Sequence, residues 1–194
     1  ADSVAAITLR RTLKIGDLAG LTIDKTYRIA GNEPTINVSV IFTNNGDRPV
    51  PFAYWVHYAL STESTGPQYL VPVAEGLREI VPDQAGFKHT FFRRPGAAYT
   101  AGKMGKLEKD NRRGELAGNW TAAYFPDYNS ALTGQFDTSR VNQVYLYDVG
   151  TLRTLEWMYD GIALGPGETR TVGYELRHLA DIQPGEIAER LQRR

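Results

Sequence analysis

Alternation of apolar and polar residues with a period of two is the feature that most constrains this chain. It runs through 21–29 and again through 36–44. Such alternation places one face of a strand in a core and the other in water, which is typical of antiparallel sheets and not of helices. Turn-forming residues follow each segment, at 30–34 (Ala-Gly-Asn-Glu-Pro) and 44–49 (Asn-Asn-Gly-Asp-Arg-Pro), and an aromatic-rich strand is predicted over 52–61.

The rest of the chain continues this pattern. Further strands are predicted at 4–14, in short pieces within 68–82, and at 88–94, 120–125, 131–136, 141–149, 152–159 and 169–176. Only 184–194 shows helical spacing, with Ile187, Ala188 and Leu191 on one face. Many short strands separated by proline-rich turns indicate an all-β sandwich or barrel with a short C-terminal helix.

Composition narrows the classes of function. The chain has 194 residues and 42% apolar content, and we expect one domain over 1–194. Its formal net charge of zero argues against a general attraction to nucleic acid. The absence of cysteine excludes disulfides, thiolate metal sites and a cysteine nucleophile, and no motif predicts a metal or another cofactor.

The chain shows no apolar run long enough for a transmembrane helix. Its start, Ala-Asp-Ser-Val, is interpreted as a processed terminus or an excised segment, so that any membrane segments would lie in removed flanks.

The span 93–119 differs from its surroundings. It contains five glycines, little large apolar content and a charged run from Lys103 to Glu115. We predict a long surface loop here, with a helical turn near Leu107, that lies outside the sandwich and is mobile or closes over one end of a sheet face.

The order of these features resembles the galactose mutarotase-like supersandwich superfamily. The resemblance rests on the strands at 21–29 and 36–44, on Trp120-Thr-Ala-Ala-Tyr124, and on the turn Leu164-Gly-Pro-Gly-Glu-Thr169 before a final strand. It extends to the periplasmic domain of the membrane insertase YidC, in which a Gly-x-Trp-x-Ala strand also precedes a closing Pro-Gly turn. The resemblance implies two large antiparallel sheets packed face to face.

A mutarotase resemblance also implies a histidine acid and a carboxylate base acting on a sugar ring. His57, in an aromatic strand, and Glu156, beside a tryptophan, are the candidates; His89 is the second histidine, and Asp160 and Glu175 are alternative carboxylates. The usual Asn-His-x-Tyr and His-Pro-Tyr motifs of the family are missing. The competing interpretation makes His57 a packed strand residue and Glu156 a solvent-facing one.

Aromatic side chains offer a stacking platform for a sugar. The candidates are Trp55, Trp120, Trp157 and Tyr124, with Tyr145 and Tyr147 as further members. Since most aromatic residues of a β-sandwich lie in its core, we expect one or two to be exposed on a binding face.

Two functions follow from the combined pattern. The first is a non-catalytic domain, periplasmic or extracellular, that binds a protein partner or a glycan, most specifically a YidC-like periplasmic domain. The alternative is a carbohydrate-active enzyme, a sugar epimerase or an accessory domain of a lyase or hydrolase, that uses the pair formed by His57 and Glu156.

Overall fold

The structure, a computed structural model, describes residues 4–31, 34–60, 66–82, 87–98 and 102–192. Strands form 59% of it and helices 13%, so the all-β prediction is confirmed. In chain order the strands and helices are β1 (Val4–Thr12), β2 (Leu21–Ala30), β3 (Thr35–Asn44), β4 (Val50–Phe52), β5 (Trp55–Leu60), β6 (Gln68–Val73), β7 (Gly76–Ile80), β8 (Phe87–Arg93), α1 (Gly102–Asn111), β9 (Arg112–Glu115), β10 (Trp120–Phe125), β11 (Ser130–Phe136), β12 (Val141–Asp148), β13 (Arg153–Tyr159), β14 (Ile162–Leu164), β15 (Thr169–Leu179) and α2 (Ile187–Gln192).

The chain divides into two compact units, one made of Ala1–Tyr54 with Gly161–Arg177 and the other of Trp55–Asp160 with His178–Arg194. In the first unit the antiparallel strands follow the order β1-β2-β3-β15, and β4 pairs with β14. Val38, Val40 and Phe42 of β3 are buried, whereas Asn37 and Ile41, at alternate positions, are exposed. The period of two that predicted this strand therefore corresponds to its two faces.

The second unit is a sandwich of two sheets, with strand orders β11-β10-β6-β7 and β5-β13-β12-β8-β9. All neighbours are antiparallel except β8 and β9, which run parallel. Trp157 of the five-stranded sheet lies 5.5 Å from the ring of Phe136 in the other sheet and packs directly on Gly134. These contacts show that the two sheets pack face to face.

The C-terminal helix covers the outer side of the four-stranded sheet. Ile187 and Leu191 of α2 are buried, and Ala188 packs against the same cluster, as the helical spacing predicted. Gln183 and Glu186 form a reciprocal capping box immediately before the helix. The predicted C-terminal helix is therefore confirmed.

The span 93–119 differs from the predicted loop. It contains the ten-residue helix α1 and the strand β9, in place of a loop with one helical turn. The expectation of a single domain over 1–194 stays a prediction. Among the helices that the structure describes, none combines the length and the apolar character that crossing a membrane requires.

Candidate functional site

One face of the five-stranded sheet gathers most of the reactive side chains of the second unit. In β13, Trp157 points into the sandwich, so Glu156 beside it points to the opposite side of the sheet. The register places His57 of β5 and Tyr145 of β12 directly opposite Glu156. We call this side the outer face, and its members are Trp55, His57, His89, Tyr145, Tyr147 and Glu156.

His57 and Glu156 are in direct contact on the outer face. The Nδ1 atom of His57 lies 3.2 Å from Oε1 of Glu156, and the His57 side chain is 55% exposed whereas that of Glu156 is 4% exposed. The carboxylate is thus buried, while more than half of the imidazole side chain that it contacts is exposed to solvent. A carboxylate in this position orients the imidazole ring.

Burial governs the acidity of Glu156. Removal from water raises the pKa of Glu156, while its interactions with Thr154, His57 and Trp55 oppose that rise. Glu156 is therefore a buried carboxyl group whose charge depends on its neighbours. Of Thr154, His57 and Trp55, the one that can carry a positive charge is His57.

The second histidine of the outer face, His89, forms a pair with Tyr145. Nδ1 of His89 is 2.8 Å from the phenol oxygen of Tyr145, and the His89 ring lies 5.3 Å from that of Tyr147. Burial, and then the charge of Glu156, raise the pKa of Tyr145, so its phenol stays protonated and can donate to a neutral imidazole. Trp55 meets Tyr145 edge to face, with ring centroids 5.5 Å apart.

A backbone irregularity positions His89. Its φ of 56° lies in the left-handed region that non-glycine residues rarely adopt. The pairing of β8 with β12 shifts register at the same place, between Leu146 and Asp148. Such bulges redirect side chains and occur next to functional sites, and here the bulge accompanies the contact of His89 with Tyr145.

Helix α1 covers one end of the outer face. Its Glu108 is fully buried and lies 3.5 Å from Nε of Arg93, which is only 6% exposed. The side-chain amide of Gln143, when turned to donate, reaches the two carboxylate oxygens of Glu108 at 3.0 and 3.3 Å. Since Gln143 pairs with Arg93 across β12 and β8, this polar cluster joins the helix to the sheet.

The remaining candidates from the sequence lie elsewhere. Trp157 is fully buried inside the sandwich, and Trp120 and Tyr124 belong to the buried cluster beneath α2. Asp160 pairs with Arg94, and Glu175 with Arg177. The structure therefore brings Trp55, His57 and Glu156 together and places Trp120, Tyr124 and Trp157 away from them.

Two members of the outer face, Tyr145 and His89, are only secondary candidates from the sequence. Tyr145 and His89 are in contact with each other, yet the sequence places them in strands far apart in the chain. The alternation Tyr145, Leu146, Tyr147 was a usable signal, because it puts both phenols on one side of β12.

The chemistry available on the outer face is hydrogen bonding and proton transfer beside aromatic rings. His57, His89 and Tyr147 are at least partly exposed, and each has a polar atom and an apolar ring. Two imidazoles, a buried carboxyl group and two phenols within one patch can bind a polyhydroxylated molecule, and an imidazole backed by a carboxylate can also move a proton.

Comparison with solved structures identifies the fold. The Slr1438 protein of Synechocystis sp. PCC 6803 matches with a TM-score of 0.61 and 12% identity over 92% of this chain and 62% of its own. A putative aldose 1-epimerase of Klebsiella pneumoniae matches with a TM-score of 0.57 and 14% identity over 97% of this chain and 54% of its own. A galactose mutarotase-like protein of Lactobacillus casei matches with a TM-score of 0.55 and 10% identity over 92% of this chain and 70% of its own.

These matches confirm the galactose mutarotase-like β-sandwich fold, and at such low identity they show the fold alone. The chain spans 62% of the length of the Slr1438 protein. No family model matches the sequence, and a search of curated proteins finds no significant relative. The likeness to the periplasmic domain of YidC stays a prediction.

Proposed function

We propose that this chain is a carbohydrate-binding domain that binds sugars on the outer face of its five-stranded sheet. The observation that carries the proposal is the grouping of two partly exposed histidines and a tyrosine around buried Glu156 and Tyr145. Sugars need such a combination, because their hydroxyl groups seek hydrogen bonds while their C–H faces pack on rings.

The contact between His57 and Glu156 favours binding over the catalytic pair that the resemblance implied. An acid and a base that act on opposite sides of one sugar ring need the ring between them. At 3.2 Å the two side chains contact each other directly, which leaves no room for a ring. Glu156 instead holds His57 in place, as a positioning residue.

Saturation-transfer NMR with a panel of monosaccharides and oligosaccharides tests the proposal. We expect contacts to the sugar, and we expect Tyr147→Ala to weaken binding by about tenfold, the effect of losing one packing ring of about 1.4 kcal/mol. Tyr128→Ala is the matched control, because Tyr128 is 64% exposed and lies in the turn between β10 and β11, in the other sheet. Equal binding by the two variants, or no binding by the native chain, would refute the proposal.

A second candidate is an enzyme that acts on a sugar, such as an epimerase. The specific observation in its favour is that an exposed imidazole is backed by a buried carboxyl group with a raised pKa, an arrangement used in acid–base catalysis. Exchange NMR on the anomers of each bound sugar distinguishes the candidates. Faster interconversion with the native chain, lost in His57→Ala while binding persists, would establish the enzyme; unchanged interconversion would leave binding alone.

The cellular setting is proposed on the sequence resemblance. We infer an exported domain, periplasmic or extracellular, whose most specific version is a YidC-like domain with a protein partner. The flanks of the full-length gene test this version: encoded transmembrane helices would support it, and a gene without a signal sequence or membrane segment would refute it. Failure of this version leaves the sugar-binding proposal intact, since that proposal concerns the outer face alone.

A further inference from the structure

The open edge of β1 is long, regular and apolar. Within the residues that the structure describes, β1 pairs on one side only, with β2, over its full length of nine residues. Every residue of β1 is exposed, including Val4, Ile7 and Leu9 at 62%, 59% and 55%. Proteins usually protect such an edge with a proline, a bulge or an inward charge, because its free N–H and C=O groups accept another strand. Between Val4 and Thr12 there is no proline and no bulge, and the only charged residues are Arg10 and Arg11 near one end of the strand.

Alternation fixes which backbone groups of β1 face the open edge. Leu13, just beyond the strand, donates its N–H to the carbonyl of Leu21 and accepts from Gly20, so both its backbone groups point toward β2. The pairing of β1 with β2 proceeds without a register shift. The odd-numbered residues therefore bond to β2, and the even-numbered residues from Val4 to Thr12 present their N–H and C=O groups outward.

We propose that this edge binds the same edge of a second copy of the chain, as an antiparallel pair centred on Thr8. In this register Thr8 faces Thr8 of the other copy, and all nine residues of each strand are paired. The pairs involve the even-numbered residues, whose backbone groups are the ones that face outward. The β1-β2-β3-β15 sheet of one copy and the same sheet of the other copy then become one continuous sheet across the contact.

The side chains suit this register. Ile7 of one copy lies opposite Leu9 of the other, so two exposed apolar side chains from each copy meet on one face. Arg10 lies opposite Ala6, and Arg11 opposite Ala5, so no like charges oppose one another. Arg10 is already neutralised by Asp24 of its own β2, through two side-chain hydrogen bonds.

Another extended polypeptide is the competing occupant of this edge, and the position of a crosslink distinguishes it from a second copy. Because the chain has no cysteine, Thr8→Cys introduces a single thiol. In the proposed pair the two residues at position 8 have Cα atoms about 5.5 Å apart, within the span of a disulfide. Arg10→Cys is the control, because its copies would lie four residues apart along the strands, about 13 Å, which is beyond that span.

The test measures the mass of the native chain by light scattering over a range of concentrations, and disulfide formation in the two cysteine variants. We expect a dimer at high concentration, and crosslinking of Thr8→Cys at least about tenfold faster than that of Arg10→Cys. Ile7→Lys should weaken the dimer, whereas Ile41→Lys, on β3 away from the edge, should not. A monomer at all concentrations, or equal crosslinking by the two variants, would overturn the proposal.

Discussion

Gly134 is the position where one added methyl group should cost the most. It lies in β11, and a Cβ atom built there would come within 2.6 and 2.7 Å of atoms Cζ3 and Cη2 of Trp157. Real Cβ atoms do not approach ring carbons closer than about 3.4 Å without strain, so the ring would have to move by nearly 1 Å. Trp157 is fully buried and packs on Phe136 and Tyr58, so it has little space into which to move.

We therefore predict that Gly134→Ala destabilises the protein by about 2 kcal/mol, the usual range for overpacking a dense core. For a chain of this length that corresponds to a fall in the melting temperature of about 4–8 °C. Urea unfolding followed by circular dichroism, together with a thermal melt, measures both quantities.

The matched control is Gly173→Ala. Gly173 also lies in a strand, but the nearest atom to an added Cβ is the carbonyl oxygen of Val38 at 3.4 Å, an ordinary contact. Its replacement should change stability by no more than about 0.5 kcal/mol, or raise it slightly by restricting the unfolded chain. If Gly134→Ala costs no more than this control, the contact with Trp157 is not as described.

A double-mutant cycle identifies the cause of the cost. Trp157→Phe removes the two ring atoms that the new methyl group would meet, so Gly134→Ala should cost less in that background. An unchanged cost would mean that the strain arises elsewhere. This cycle also tests the assignment of Trp157 to the core and not to a sugar platform, because a core ring couples to the opposite sheet and an exposed ring does not.

Three further predictions concern buried polar groups. Burial raises the pKa of Glu156 in the folded state above its ordinary value of 4.5. The resulting contribution to stability is full below pH 4.5 and is lost as the pH rises through the raised pKa. Between pH 4 and 8 the unfolding free energy of the native chain should therefore fall relative to that of Glu156→Gln. Glu108→Gln removes the anion that lies 3.5 Å from Nε of buried Arg93, and it should cost about 3 kcal/mol and speed amide exchange in α1. Glu115→Gln, at a half-exposed position, should cost under about 0.5 kcal/mol. Asn44→Ala removes hydrogen bonds of 2.8–2.9 Å to three backbone groups and should cost about 3 kcal/mol in urea unfolding; a loss under about 1 kcal/mol would contradict the description of that turn.

The strands could be predicted because their alternation is a local property. Val38, Val40 and Phe42 repeat every second residue, and the structure buries those three while Asn37 and Ile41 stay exposed. No long-range information is needed to read such a segment as a strand with one wet face.

Helix α1 could not be found in this way, because a charged residue joins it to the sheet within 105–111, the part of the helix whose side chains the structure describes. In that part of the helix the buried side chain is Glu108, and its contacts include Arg93 and Gln143. In the sequence Glu108 stands among lysines and looks like part of a solvated charged run. Only the register of β8 and β12, which places Arg93 beside Gln143, creates the environment in which this glutamate is buried.

The candidate site depends on register in the same manner. His57 and Glu156 are far apart in sequence, and the pairing of β5 with β13 makes them neighbours. Glu156 and Trp157 are neighbours in the sequence, yet adjacent residues of a strand point to opposite sides of its sheet. The residue that shares a side with Glu156 is instead Trp55, from the neighbouring strand.

Because the two sides of β13 face different surroundings, substitutions on it can separate function from stability. Leu155, Trp157 and Tyr159 fill the sandwich, while Thr154 and Glu156 point to the side of the outer face. Substitutions on the first side should lower the melting temperature and affect sugar binding only through unfolding. Substitutions of exposed groups on the second side, such as His57, should change binding and leave the melting temperature nearly constant, because a side chain that is 55% exposed contributes little to the core. A variant at His57 that lost both together would mean that this histidine is a structural residue of the sheet, and the proposed sugar-binding face would then lack its most accessible polar group.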